Sequence, residues 1–419
     1  MKYNKKLLLP SFSGFQYGFN SSIIAGALLF VSRSLFLTPL EEGLLVGITM
    51  AGTCAAALSG VLANYWGRKK VLILGCILFF LGSLSSGFGS TYVAILLGRL
   101  FIGFGSGIAV VVAPIYLVEG SSHENRGAIL NFNQVAVALG SVIAYATCYF
   151  LGFSGNWRAM FSIGAIFAVI QFAGLFSLPE TLSLEQRRKK LLGSSWKRVF
   201  ELSQRYRLAL VFSLAIFQAF SGSGAIFFFS PQVFENAGFI GVQNTLLATF
   251  ALGIVYLAAV LISFWIVDRV GRRWLLLSSL FGMMISLFAI AFFSFTHSPH
   301  LNFIAVVSIL SYVAFYSIGV GPIPSLIAGE ISPVEVRGHM MTIMGIVIWA
   351  SNYLIAILFL PLLSLISLGG VFLGFGLICL VGFVVFYRYL PETKQKTLSE
   401  IEALLSDPSK TVAAQSNEE

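Results

Sequence analysis

The feature that most constrains this chain is a succession of long apolar runs, each near twenty residues and parted from the next by a short polar segment. A helix needs ~20 mostly apolar residues to cross the hydrocarbon core of a bilayer, and a helix satisfies its own backbone hydrogen bonds there. Spans are expected at 8–31, 43–64, 71–90, 92–117, 127–150 and 157–178. After a basic stretch from Glu180 to Arg207 they resume at 208–232, 242–267, 274–295, 302–328, 338–364 and 369–390. The expected fold class is all-α integral membrane with twelve transmembrane helices. Charged residues make up only 10% of the chain, against about a quarter in a soluble domain. The first span follows three lysines, as a signal peptide does, but it is too long and lacks a small-residue cleavage site. It is expected to remain as helix 1.

Charge sets an orientation. The formal net charge of +9 does not point to a nucleic-acid partner, because the basic residues lie in short segments between spans. All but three of the 26 Lys and Arg residues fall on one side of the spans, the side that carries both termini and the central linker. The excess of Lys and Arg on cytoplasmic loops makes that side cytoplasmic, and the expected location is the plasma membrane, or the inner membrane if the source is bacterial. The exceptions are Arg33 and Arg158 in outer segments, and Arg99 within span 4. The four cysteines sit singly inside apolar runs, so neither a disulfide framework nor a zinc site is expected. No cofactor is implied.

The chain repeats itself. Gly67-Arg68-Lys69 recurs as Gly271-Arg272-Arg273, each time after an even-numbered span. Glu119 with Arg126-Gly127 recurs as Glu330 with Arg337-Gly338, and Pro179-Glu180-Thr181 recurs as Pro391-Glu392-Thr393. Three landmarks in matched order mark a duplication, an arrangement common in secondary transporters. The expected organisation is a six-helix bundle at 1–179, a cytoplasmic linker at 180–207, a second bundle at 208–391 and a cytoplasmic tail at 392–419. The repeated charges all fall at helix ends on the cytoplasmic side. Glu119, Glu180, Asp268, Glu330 and Glu392 are there to face Arg68, Arg126, Arg272, Arg273 and Arg337. Exposed ion pairs worth ~0–1 kcal/mol each suit a latch that opens repeatedly, so they are candidates for a cytoplasmic gate; the alternative is that they only set topology.

These residues resemble the sugar porter branch of the major facilitator superfamily, over nearly the whole chain. The pieces that carry the resemblance are Pro114-Ile115-Tyr116 with Glu119, Arg126-Gly127, Asp268-Arg269 with Gly271-Arg272-Arg273, Gly321-Pro322-Ile323-Pro324 and Pro391-Glu392-Thr393-Lys394. The chain departs from that pattern at Asn64-Tyr65, at Ser122 and after Thr181, and its linker is short. The resemblance implies two pseudo-symmetric six-helix bundles and transport of a small polar solute, a monosaccharide first, by alternating access. The expected partners are that solute and the lipid bilayer, with the chain acting as a monomer.

Transporter sites lie near the midplane where helices are interrupted, and two interruptions stand out, Ser221 to Gly224 in span 7 and Gly319 to Pro324 in span 10. Gln134, Ser141 and Tyr145 share a face of span 5, and Trp349 and Asn352 a face of span 11. Gln218 precedes the span 7 break. An amide donates and accepts at once, as a ring of hydroxyls requires, and an aromatic face stacks on a pyranose. Helix-to-helix bonding is the competing use of such side chains; the resemblance implies that Gln134, Gln218, Trp349 and Asn352 contact sugar. It also marks departures. Ala219, Gly224 and Tyr256 stand where glucose facilitators carry amides, Ser325 replaces a tryptophan, and Ile348 replaces a polar residue. At ~0.5–1.5 kcal/mol per net hydrogen bond, three missing amides weaken glucose binding by about one to three factors of ten. Ser141, Tyr256 and Ser325 complete the candidate substrate-binding set, and a polyol, an organic acid or a drug remains an alternative cargo.

Proton coupling needs a group that titrates inside the membrane, and no carboxylate or histidine lies deep in any span. Arg99 stays charged. The resemblance places Asn20 where proton-coupled sugar porters carry an aspartate partnering the arginine of helix 4. The pair Asn20 and Arg99 therefore implies a facilitative uniporter, with proton symport as the alternative. An enzyme is not expected, since no nucleophile has a base and an orienting acid within reach.

Overall fold

The structure is a computed structural model that describes residues 10–120, 126–181, 196–201, 204–296, 300–333, 335–394, 396 and 400. Of Arg126 and Asp268 it describes the backbone alone. Most of the expected linker and tail lie outside the described residues.

Among the described residues, 11 helices are long and apolar enough to cross a membrane. The last runs from Arg337 to Tyr389, a stretch of 53 residues. At 1.5 Å per residue that would be about 80 Å of continuous helix, far more than one crossing uses. It is broken at Ser367, whose φ of 62° and ψ of 170° are not helical, so it supplies spans 11 and 12. Twelve crossings result. Both interruptions read from the sequence appear as breaks: span 7 is Arg205–Phe220 followed by Ser223–Asn236, and span 10 is Leu301–Ile318 followed by Ile323–Ile331. At the span 7 break Gly222 takes a φ of 99°, a left-handed conformation that excludes most side chains. Span 2 is also uneven, with a 3₁₀ turn at Ala56–Leu58 inside it.

By packing, the chain forms two compact units. The first comprises 1–193, 224–257 and 352–365; the second comprises 194–223, 258–351 and 366–419. The sequence repeat divides the chain at its middle, whereas the units divide spans 7, 8 and 11 part-way along. In the first unit, the halves of these three spans farthest from the basic loops pack with spans 1 to 6. Arg33 at the end of span 1 pairs with Glu235 at the end of span 7 at 3.5 Å, and Phe229 of span 7 lies 5.1 Å, ring to ring, from Phe359 of span 11. Contacts thus join span 1 to span 7 and span 7 to span 11 at the end of the first unit away from the basic loops.

Candidate functional site

The repeated charges build the same device in each unit. In the first, Arg68 reaches Glu119 with two nitrogens, Nε at 3.2 Å and Nη2 at 3.3 Å. Glu180 accepts from the backbone N–H groups of Arg68 at 2.8 Å and Lys69 at 3.2 Å, and Thr181 donates its hydroxyl to Glu119 at 2.8 Å. In the second, Arg272 meets Glu330 at 3.3 Å, Glu392 accepts from the backbone of Arg272 at 3.0 Å and Arg273 at 3.1 Å, and Thr393 donates to Glu330 at 2.5 Å.

The local sequence explains this geometry. Spans 3 and 9 begin at Arg68 and Arg272, directly after Gly67 and Gly271 with φ of 101° and 102°. A glycine tolerates that conformation but has no side chain to cap the helix. The exposed N–H groups of the first turn, at the positive end of the helix dipole, are satisfied instead by a glutamate from the end of the same half. Glu180 and Glu392 thus accept from the main chain of the arginines that open these helices. Arg337 departs from the expected pairing and donates to the carbonyl of Ser332 at 3.2 and 3.3 Å, while Arg273 donates its Nη2 to the carbonyl of Tyr387 at 2.7 Å. The expected roles of Arg126 and Asp268 rest on side chains outside those described.

Arg99 is completely buried. Its Nη1 donates to the main-chain carbonyl of Asn20 at 3.1 Å, and its guanidinium lies 5.9 Å from the centroid of the Phe161 ring. The Asn20 side chain is engaged elsewhere, donating to the carbonyl of Gln16 at 3.1 Å and accepting from Ser83 at 3.5 Å. Arg99 and Asn20 meet as expected, but through the backbone of Asn20. Nε and Nη2 of Arg99 have no hydrogen-bond partner among the described residues.

The candidate solute contacts divide between the units. In the first unit, Gln134 is exposed, Tyr256 is half-buried and sits edge-on to Phe227 at 5.1 Å, and Asn352 is buried. A Cβ on Gly224 would meet the Asn352 side-chain oxygen, so the missing side chain at 224 makes room for that amide. Ser141 is buried with its hydroxyl directed to the carbonyls of Val137 at 3.2 Å and Gly18 at 3.4 Å; it joins span 5 to span 1. Tyr145, also read as part of that face, donates to the carbonyl of Phe227 at 2.8 Å. In the second unit, Ser325 and Trp349 are half-buried and Gln218 is buried. Gln218 donates through Nε2 to the carbonyl of Gly321 in the span 10 break at 2.8 Å, while its Oε1 has no partner among the described residues.

The sequence reading missed two tyrosines here. Tyr312 donates to the carbonyl of Ser221 at 3.2 Å, and the Tyr316 ring stacks on that of Tyr312 with centroids 6.2 Å apart. Their spacing of i, i+4 in span 10 was the available signal. Breaking a helix frees backbone groups that must be satisfied inside the membrane, and Tyr312 and Gln218 supply donors at the two breaks.

Comparison with known proteins agrees with this architecture. The profile of the family described as "Sugar (and other) transporter" matches residues 6–191 and again 182–405, once for each repeat. The chain belongs to this sugar transporter family. Among characterised relatives, it is 29% identical to a D-xylose transporter of Levilactobacillus brevis, over 94% of this chain and 93% of the relative. It is also 29% identical to polyol transporter 5 of Arabidopsis thaliana, over 95% and 85%. A solved inward-open structure of the xylose transporter XylE from E. coli matches with a TM-score of 0.82 over 95% of this chain and 98% of that one, at 24% identity. At that identity the likeness speaks for the fold, which is that of the major facilitator superfamily. This sugar porter is a multi-pass membrane transporter and not an enzyme.

Proposed function

We propose that this sugar porter moves a monosaccharide, or a polyol of similar size, down its gradient by alternating access, as a uniporter. The relatives that transport D-xylose and polyols support the cargo class. The observation that carries the uniport reading is Arg99: it is fully buried and bonded to a main-chain carbonyl, and no carboxylate among the described residues pairs with it. A buried titratable acid is the usual proton carrier in a membrane. Its absence beside Arg99 among the described residues supports transport without proton coupling.

On this reading Gln134, Gln218, Trp349 and Asn352 contact the solute, with Tyr256 and Ser325 in place of the polar and aromatic groups of glucose porters. The unpartnered Oε1 of Gln218 is an acceptor for a sugar hydroxyl. Gly224, which leaves space at the Asn352 amide, favours a cargo other than glucose. The Arg68–Glu119 and Arg272–Glu330 networks act as a cytoplasmic gate, and the protein works as a monomer in the plasma membrane with both termini in the cytoplasm. The test is counterflow in proteoliposomes with labelled hexoses, pentoses, polyols and small organic acids at two pH values. Uptake of a sugar or polyol that is indifferent to pH is expected. Uphill accumulation driven by an imposed proton gradient would sink the uniport reading, and exchange of organic acids alone would sink the cargo class.

A further inference from the structure

Span 7 carries Pro231 inside its second segment, Ser223–Asn236. In a helix the N–H of residue 231 would bond to the carbonyl of Phe227, but proline has no N–H to offer. Phe229, between them, has left the helical region with φ of −123° and ψ of 22°. The hydroxyl of Tyr145, on span 5, donates to the Phe227 carbonyl at 2.8 Å. Tyr145 is fully buried. The Phe227 ring in turn packs against Tyr256 of span 8. One hydroxyl thus ties span 5 of the first repeat to the proline-broken half of span 7 in the second.

We propose that Tyr145 is a positioning residue of the transport cycle, a latch that holds the second segment of span 7 against span 5 when the end away from the basic loops is closed. A buried carbonyl needs a donor, and Tyr145 supplies one in the arrangement described. When this segment swings out, water replaces the hydroxyl, so the bond breaks at modest cost and the latch reopens. The strength of one such exchange corresponds to roughly a two- to tenfold shift between closed and open populations. The inference rests on the transport reading for its role in the cycle, though not on the identity of the cargo.

The test is hydrogen–deuterium exchange of the full chain in proteoliposomes, read over Ser223–Asn236, alongside solute counterflow. Tyr145→Phe keeps the ring and removes the hydroxyl. It is expected to raise exchange in this segment by roughly two- to tenfold while leaving Arg272–Phe295 unchanged. Pro231→Ala restores an N–H that can serve the Phe227 carbonyl from within the helix, so in that background Tyr145→Phe is expected to have a much smaller effect. Unchanged exchange in Tyr145→Phe, an increase spread over all spans, or the same increase in both backgrounds would each overturn the latch. Absence of sugar or polyol flux in the wild-type protein would instead defeat the cargo reading, and the exchange result would still stand.

Discussion

Arg99 donates to the main-chain carbonyl of Asn20, not to its side chain. The arginine is held by a group that any residue at position 20 would provide. An aspartate at that position would therefore keep the carbonyl contact and add a titratable charge beside a buried cation.

Asn20→Asp is accordingly expected to make transport depend on pH, because a buried carboxylate next to Arg99 exchanges a proton whenever its surroundings alternate between the two sides. The wild-type protein should show the same counterflow rate at mildly acidic and neutral pH. Counterflow measured at both pH values, with and without an imposed proton gradient, checks this. A variant as indifferent to pH as the parent would argue against position 20 as a coupling switch.

The two charged networks are built alike but differ in burial. The Arg68 and Glu119 side chains are 2% and 15% exposed, against 18% and 31% for Arg272 and Glu330. Removing one partner of a buried pair leaves an uncompensated charge, at ~3–5 kcal/mol in a fully buried site, whereas an exposed pair is worth ~0–1 kcal/mol. Arg68→Ala should destabilise the purified protein clearly more than Arg272→Ala. Thermal unfolding in detergent measures the difference, and equal losses would contradict the assignment.

Glu180 and Glu392 cap helices that begin after a glycine. Replacing either by alanine should cost ~1 kcal/mol, in the range of a lost N-cap. Amide exchange should rise at the first turn of span 3 for Glu180→Ala and of span 9 for Glu392→Ala, each leaving the other span untouched. A Gln at either position retains an acceptor oxygen and is expected to fall between alanine and wild type.

Gln218 joins span 7 to the break in span 10 through Nε2 and keeps an unpartnered Oε1. Gln218→Ala should raise the KM for the transported sugar by about tenfold, the scale of one or two hydrogen bonds. Ser141→Ala removes a hydroxyl directed at main-chain carbonyls and should leave KM unchanged. Initial rates across a range of sugar concentrations separate the two outcomes.

The candidate site was only partly legible before the fold was known. Ser141 and Tyr145 shared a helical face with Gln134, yet their hydroxyls serve the backbone of spans 1, 5 and 7. Helical spacing reports which side chains point the same way, and it is silent on what lies opposite. Tyr312 went unread because a tyrosine in an apolar run looks like core until the broken helix that needs its hydroxyl is placed beside it.

Run lengths, matched motifs and a charge count established the spans, the duplication and the placement of the repeated charges on one side of the spans. These are local quantities, the run length being set by the thickness of a bilayer. The tertiary structure alone decided that Glu180 and Glu392 cap helices more than a hundred residues away, that Arg99 meets a carbonyl, and that Tyr145 supplies what Pro231 lacks. Each of these is a choice of hydrogen-bond partner, settled by which polar groups the packing of the helices brings within reach.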